Sequence, residues 1–452
     1  MATLRAVKQT VSFIVLTAAV TFTSCQKEEL MEQQFNEPQA IASSLDGQTI
    51  EGQYIVVFNN NSSADLSSSG QSFSNSRIAF ATMRTQALQA NGISAKDIEV
   101  EYNGVVNGFA ARLTPAQVAG LRKNPDVASI EQDRIVTLNP VVTENVNTIA
   151  SPQGKSDTNN GKKNTGIPQP VGNEPTPLNP NPTPATIPSL PYTPITALQG
   201  ETIPWNIERV GYGDGTGKTA WVIDSGIDTD HPDLNIDLAR STSFIYGNAS
   251  IEDGYGHGTT VAGIIGAKNN GTGMIGVASN ATLVALRVFD NAGAGTVSRA
   301  IAAVNHVINN AAPGDVVNMS LGSGISSTLD NAVKTAAAKG ILFAVAAGNS
   351  SVDCSGTSPA RVNAEGVYTI SAMDSYNKMW ASSNYGAGVD FAAPGVNVTA
   401  TTIKGTIGGG HYGTSMAAPH VAGILLLRGE VLSQGTITGD KDNTPDPIAS
   451  LN

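Results

Sequence analysis

In the second half of the chain, short apolar runs alternate with stretches of helical spacing. Residues 219–223 are apolar up to Asp224, and 283–288, 316–319, 342–346 and 367–372 are further apolar runs of strand length. Between several of them, 259–268, 297–309 and 329–339 carry apolar positions at helical spacing. Strands apolar on both faces and joined by helices predict an α/β fold, a parallel sheet with helices on both faces. Sites in such sheets form beyond the carboxyl ends of the strands. This unit is expected to span 201–452.

The first half reads differently. Residues 54–58 form a strand, and 77–89 has helical spacing with no breaker. Residues 98–102 and 108–113 flank Asn103-Gly104, a hairpin signal. Thr114-Pro115 supplies an N-cap followed by proline at the first helical position, so a helix to about Lys123 is expected. Residues 127–136 are the last strand. The order β-α-β-β-α-β is that of a small ferredoxin-like α+β domain, placed at 51–138. From 139 to 200 Pro, Asn, Thr and Gly dominate, which predicts an extended linker without a core.

Charge and cysteine content remove some functions. The 452-residue chain has 37 acidic and 26 basic residues, a net charge of −11, which disfavours nucleic acid as the main partner. With 14 % charged residues and 47 glycines it reads as compact and turn-rich. Its two cysteines, Cys25 and Cys354, exclude a disulfide framework or a cysteine-based zinc cluster. Residues 1–25 read as a targeting segment: Arg5 and Lys8 precede an apolar stretch, 11–22, too short to span a bilayer. Thr23-Ser24-Cys25 resembles a bacterial lipoprotein cleavage site, where the cysteine becomes the acylated N-terminus. The alternative is an ordinary signal peptide with an incidental cysteine. Lys27-Glu28-Glu29 resembles the export signal of some Gram-negative surface lipoproteins. Residues 26–50 are then a tether, and the protein is secreted or lipid-anchored in the outer membrane through Cys25. Cys354 is expected as a partly buried free thiol.

Candidate chemistry gathers around Gly413-Thr414-Ser415-Met416-Ala417-Ala418-Pro419, where a serine precedes a strongly apolar run, 421–427. Proline is tolerated only near a helix start, so Ser415 is expected in a first turn, whose free N–H groups stabilise negative charge developing nearby. Taken alone, such a turn leading into a core helix is commonplace. Asp224 ends the first strand, His257 opens a helix in Gly256-His257-Gly258-Thr259, and Asn349 ends another strand in Ala346-Ala347-Gly348-Asn349. All four sit at strand ends or helix starts, so one crevice can hold them. A serine hydroxyl is a poor nucleophile until an imidazole takes its proton. A buried carboxylate fixes the imidazole tautomer, and an amide with a backbone N–H can bind the oxyanion. Of the other histidines, His231 reads as part of a turn, His306 as helical, His411 as lying in a glycine-rich loop and His420 as a packing residue.

Asp-Ser-Gly-Ile-Asp from Asp224, Gly-His-Gly-Thr from Gly256, Asn-Met-Ser-Leu-Gly from Asn318, Ala-Ala-Gly-Asn from Ala346 and Gly-Thr-Ser-Met-Ala-Ala-Pro-His from Gly413 follow in that order. Together they resemble the subtilisin family of serine proteases across 204–428. The resemblance implies Ser415 as nucleophile, His257 as base, Asp224 as its orienter and Asn349 as oxyanion donor. It implies that Ser320-Leu321-Gly322 pairs with an extended substrate, and that Ala346-Ala347-Gly348 walls a roomy apolar pocket. Thr260 stands where the family often has a second, non-catalytic histidine. A structural calcium ion is implied at Asp233, Asn270, Thr272, Met274 and the Lys268 carbonyl, with no cofactor for catalysis. The 51–138 domain resembles the family's inhibitory propeptide, with cleavage expected between Leu138 and Asn139. The expected protein is a monomeric endopeptidase acting on proteins or peptides. A binding scaffold on the same fold and a serine esterase are its rivals.

Overall fold

The computed structural model describes residues 45–59, 70–138 and 192–452. The targeting segment, Cys25, most of the tether and 139–191 of the linker lie outside the described residues. No helix among the described residues is long and apolar enough to cross a membrane.

The N-terminal module follows the expected order: β1 (Thr49–Phe58), α1 (Gly70–Ala90), β2 (Ile98–Asn103), β3 (Asn107–Arg112), α2 (Pro115–Leu121) and β4 (Val127–Thr137). Its antiparallel strands lie in the order β4-β1-β3-β2, the ferredoxin-like arrangement. The hairpin is present, but its last pair is Asn103 with Asn107, so Gly104, Val105 and Val106 form the loop. Thr114 caps α2 through a capping box with Gln117. Alternation along β1 then divides the side chains. Val56 and Phe58 pack with Phe109, Val118 and Leu121 inside the module. Ile55 faces the other way, with Tyr102, Ala110, Val136 and Leu138, into the core of the large unit. Each large aliphatic side chain so buried contributes roughly 1.5–3 kcal/mol.

The large unit contains α3 (Trp205–Val210), β5 (Thr219–Asp224), β6 (Thr242–Ser243), α4 (His257–Gly266), β7 (Thr282–Arg287), β8 (Ala294–Thr296), α5 (Val297–Asn310), β9 (Val316–Met319), α6 (Ser327–Ala337), β10 (Leu342–Ala346), β11 (Val367–Met373), β12 (Phe391–Pro394), β13 (Val398–Thr402), β14 (Thr406–His411), α7 (Thr414–Arg428), β15 (Leu432–Thr436) and β16 (Pro447–Ser450). The main sheet has the order β15-β16-β12-β11-β10-β9-β5-β7-β6. It is parallel except for the β15–β16 pair. Alternation explains the continuous apolar runs. Ala220 and Val222 point to the face covered by α4 and α7, whereas Trp221 and Ile223 point to the face covered by α5 and α6.

Two boundaries move. The large unit begins before residue 201: Tyr192, Ile195 and Ala197 pack on its core. Asn269 holds this segment, donating to the Thr196 carbonyl at 2.9 Å and accepting from the Leu198 N–H at 2.8 Å. The composition masked it because its few apolar residues are spaced along a polar stretch. The N-terminal module also begins earlier than 51. Gly47 N–H donates to the Ile135 carbonyl, and Ile135 N–H to the Gln48 carbonyl, both at 2.9 Å.

Candidate active site

The carboxyl end of β5 delivers Asp224, fully buried. His257 is the first residue of α4, directly after Gly256 in the left-handed region at φ 103°. A Cβ on Gly258 would stand 2.0 Å from the Gly226 carbonyl oxygen, so only glycine lets the start of α4 approach the end of β5. His257 Nδ1 lies 2.8 and 3.0 Å from the two Asp224 carboxylate oxygens. Burial works against the imidazolium, but the Asp224 charge and hydrogen bond outweigh it, and the His257 pKa is raised from its usual value.

Ser415 is the second residue of α7, where backbone N–H groups have no intrahelical acceptor. Pro419 cannot donate to the Ser415 carbonyl four residues back, and the Ser320 hydroxyl takes that place at 2.7 Å. The Ser415 hydroxyl donates in turn to the Ser320 carbonyl at 3.2 Å. Among the described residues no hydrogen bond joins Ser415 to His257, so the hydroxyl must rotate off Ser320 to meet the base. Such looseness is common before substrate binds.

Asn349 completes the group. Its Oδ1 accepts from Thr414 N–H at 2.9 Å and from Thr414 Oγ at 2.8 Å. With the oxygen committed, Nδ2 remains as a donor. Asn349 and Ser415 line one cavity of about 470 Å³ with Ser320, Leu321, Gly322, Ala346 and Gly348. Ala347 does not line it: its N–H bonds the Ile370 carbonyl and its own carbonyl accepts from Asn384.

The N-terminal module reaches this cavity. β4 pairs antiparallel with β8, and Leu138 N–H donates to the Gly293 carbonyl at 2.9 Å. On its other edge, Thr137 N–H bonds Asp46 Oδ1 at 2.8 Å. Thr137, Leu138 and Asp46 to Gln48 line the cavity beside Ser320 to Gly324. Leu138, the residue before the expected cut, lines the cavity that also holds Asn349 and Ser415. The Leu138 carbonyl accepts from the Tyr255 hydroxyl at 3.3 Å. Two carboxylates of β4 cap helices of the large unit: Asp133 accepts from Ser298 N–H and Oγ at the start of α5, and Glu131 from Ser326 Oγ, the α6 N-cap. Burial raises both pKa values.

The remaining histidines are accounted for, with one correction. His231 bonds Asp233 N–H and the Thr406 carbonyl, and His420 bonds Asn206 and the Met416 carbonyl. His306 lies edge-on to Trp221 and Phe244. His411 is not in a loop; it ends β14, buried, paired across the strands with Val398. Glycines at 408–410 suggested a loop, but the β13 partner holds them extended. Cys354 is fully buried, beyond the partial burial expected, and burial pushes its thiol up to about 11.

At the expected cation position, Asp233 accepts from Asn270 Nδ2 at 3.2 Å and Met274 N–H at 3.0 Å, while Lys268 N–H bonds the Asp233 carbonyl at 2.9 Å. Thr272 N–H bonds Asn270 Oδ1. Residue spacing does not point to Glu201, whose Oε1 takes the Asn270 and Gly271 N–H groups while Oε2 is buried without a partner. Burial, with the Glu201 charge adding, pushes Asp233 up to about 7. A buried carboxylate beside a half-buried one with an orphaned oxygen suits a hard cation. Among the described residues no cluster of three or more His, Cys, Asp or Glu could hold a metal, so an ion here would rest on these two carboxylates and neutral oxygens.

Residues 215–436 match the Subtilase family, and residues 53–139 match Peptidase inhibitor I9. The chain is 33 % identical over 394 residues to alkaline serine exoprotease A of Vibrio alginolyticus, covering 86 % of this chain and 62 % of that protein. It is 40 % identical over 263 residues to subtilisin Savinase of Lederbergia lenta, covering 56 % of this chain and 94 % of the relative. A solved cold-adapted subtilisin-like serine proteinase aligns at 34 % identity and TM-score 0.49, over 55 % of this chain and 98 % of its own. The chain belongs to the subtilase family. It spans 62 % of the exoprotease's length.

Proposed function

We propose that this chain is the precursor of a serine endopeptidase, with 45–138 as its intramolecular inhibitor. Ser415 Oγ attacks the peptide carbonyl, His257 takes the proton, and Asp224 holds the tautomer and stabilises the imidazolium. Asn349 Nδ2 and the Ser415 N–H bind the oxyanion. The observation that carries the reading is the Thr414 lock on Asn349, which leaves an amide donor free in the cavity beside Ser415. A mere scaffold has no use for that orientation. Matured protein treated with an aryl phosphonate should carry the adduct on Ser415 and lose caseinolytic activity; an unlabelled serine would favour the scaffold.

A structural calcium ion fits Asp233 and Glu201, with Asn270 and carbonyls of Lys268, Thr272 and Met274 completing an all-oxygen set. A cation bound only by the folded state at a hundred times its Kd adds about 2.7 kcal/mol. Chelator should therefore shorten the thermal half-life of the mature protein, and Asp233→Ala should remove most of that sensitivity. An unchanged half-life in the wild type would exclude the ion.

The pattern of residues 1–25 supports export, with lipid attachment at Cys25. Incorporation of a radiolabelled fatty acid, lost in Cys25→Ala, is expected; no incorporation leaves plain secretion.

A further inference from the structure

A second carboxylate stands in the loop before α4, the helix that His257 opens. Asp253 is 4 % exposed. Its Oδ1 accepts from Ser225 Oγ at 2.8 Å, Tyr255 N–H at 3.1 Å and Gly256 N–H at 2.7 Å. Its Oδ2 accepts from Thr259 N–H at 2.9 Å and Thr259 Oγ at 2.7 Å. Every contact is a donor and none is an acceptor, so these bonds hold the anion. Burial pushes the carboxyl pKa up, and the bonds from Gly256, Thr259 and Ser225 oppose it.

The shell joins the two elements that meet at the imidazole. Ser225 follows Asp224 at the end of β5, and its hydroxyl also accepts from Gly258 N–H at 2.9 Å. Thr259 lies in the first turn of α4, and its hydroxyl oxygen accepts from Asp228 N–H at 2.9 Å. Asp253 thus fixes the start of α4 against the end of β5, the junction on which the Asp224–His257 contact depends. We propose that Asp253 is a positioning residue for the base, setting the place of His257 and contributing a second negative charge to its surroundings. The proposal rests on the reading of His257 as general base.

The sign of the charge effect follows from the groups around the ring. Asp224 from β5 and Asp253 from the loop before α4 both favour the imidazolium. His411, from the end of β14, is pushed down to about 4 by burial and by His257, and is neutral at working pH. Tyr255 is pushed up to about 12 by burial and the two carboxylates, and is also neutral. Removing the Asp253 charge lowers the His257 pKa. The acid limb of kcat/KM reports the base of the free enzyme, so it moves to lower pH.

The test uses the matured enzyme and a chromogenic peptide anilide with an apolar residue before the scissile bond. Asp253→Asn should shift the acid limb to lower pH and reduce the plateau kcat/KM roughly 10- to 100-fold. Ser225→Ala removes one bond to Asp253 but no charge, and should reduce kcat/KM without moving the limb. Independently, the His257 Cε1–H resonance of the Ser415→Ala precursor should titrate at lower pH once Asp253→Asn is added. An unmoved limb together with an unmoved titration overturns the proposal. If Asp253→Asn does not fold, Ser225→Ala and Thr259→Val decide: a loss of roughly 3- to 10-fold in each supports it, and no loss overturns it. If the wild type is inactive, the functional reading fails, while the His257 titration still decides the role of Asp253.

Discussion

A Ser415→Ala precursor is expected to remain full length from the N-terminal module through the large unit, with no peptidase activity. The phosphonate-reactive serine and the group that matures the chain are the same atom in this reading. The hydroxyl has one route to activation: rotation off the Ser320 carbonyl toward His257. Alanine removes the nucleophile but preserves the Ser320 hydroxyl bond to the residue-415 carbonyl, so α7 keeps its start. Loss of activity without loss of folding is therefore the outcome. The scale is that known for subtilisin, a relative, rather than one derived from this site: roughly 10⁶-fold in kcat. Denaturing gels of the purified variant over days check it. A normally processed variant would mean that another protease matures the chain or that Ser415 is not the nucleophile.

Asn349→Ala is expected to lower kcat far more than it changes KM. The Nδ2 donor meets charge that develops on the substrate oxygen only as the tetrahedral state forms, so its removal spares ground-state binding. Subtilisin again supplies the scale, roughly 10²–10³-fold in kcat for loss of one side-chain donor. The Ser415 N–H remains, which is why the loss is not complete. Thr414 also loses the acceptor for its N–H and hydroxyl. Thr414→Val is the control: it frees the amide to turn and should reproduce part of the kcat loss while Asn349 is present. A change confined to KM in Asn349→Ala would remove it from the oxyanion role.

Strands β5, β7, β9, β10 and β11 and helices α4 to α7 were legible because they are apolar and largely buried, so their pattern is set by a core that covers both faces. The triad positions were legible because strand ends and helix starts carry glycine and small polar residues in recognisable runs. What escaped was contact between segments far apart in the chain. β8 is three residues of small side chains, and its extension depends on β4 pairing with it. Gly47 and Gln48 look like tether until Ile135 is seen beside them. Glu201 and Asp233 meet only through the Asn269 to Thr272 turn, which no local spacing reveals. Asp253 reads as an ordinary loop acid in sequence; its role depends on Ser225, from another element.

The double-edged seating of the β4 tail separates cutting from letting go. Each edge has its own bonds, Gly293 and β8 on one side and Asp46 to Gln48 on the other. All of them lie before Leu138 or at its N–H, so severing the chain beyond Leu138 breaks none. A product so held departs only when whole edges unzip together with the Asp133 and Glu131 caps. In the precursor reading, activation then depends on the residence time of a fragment, tuned by the strength of its grip, as well as on the cut that creates it.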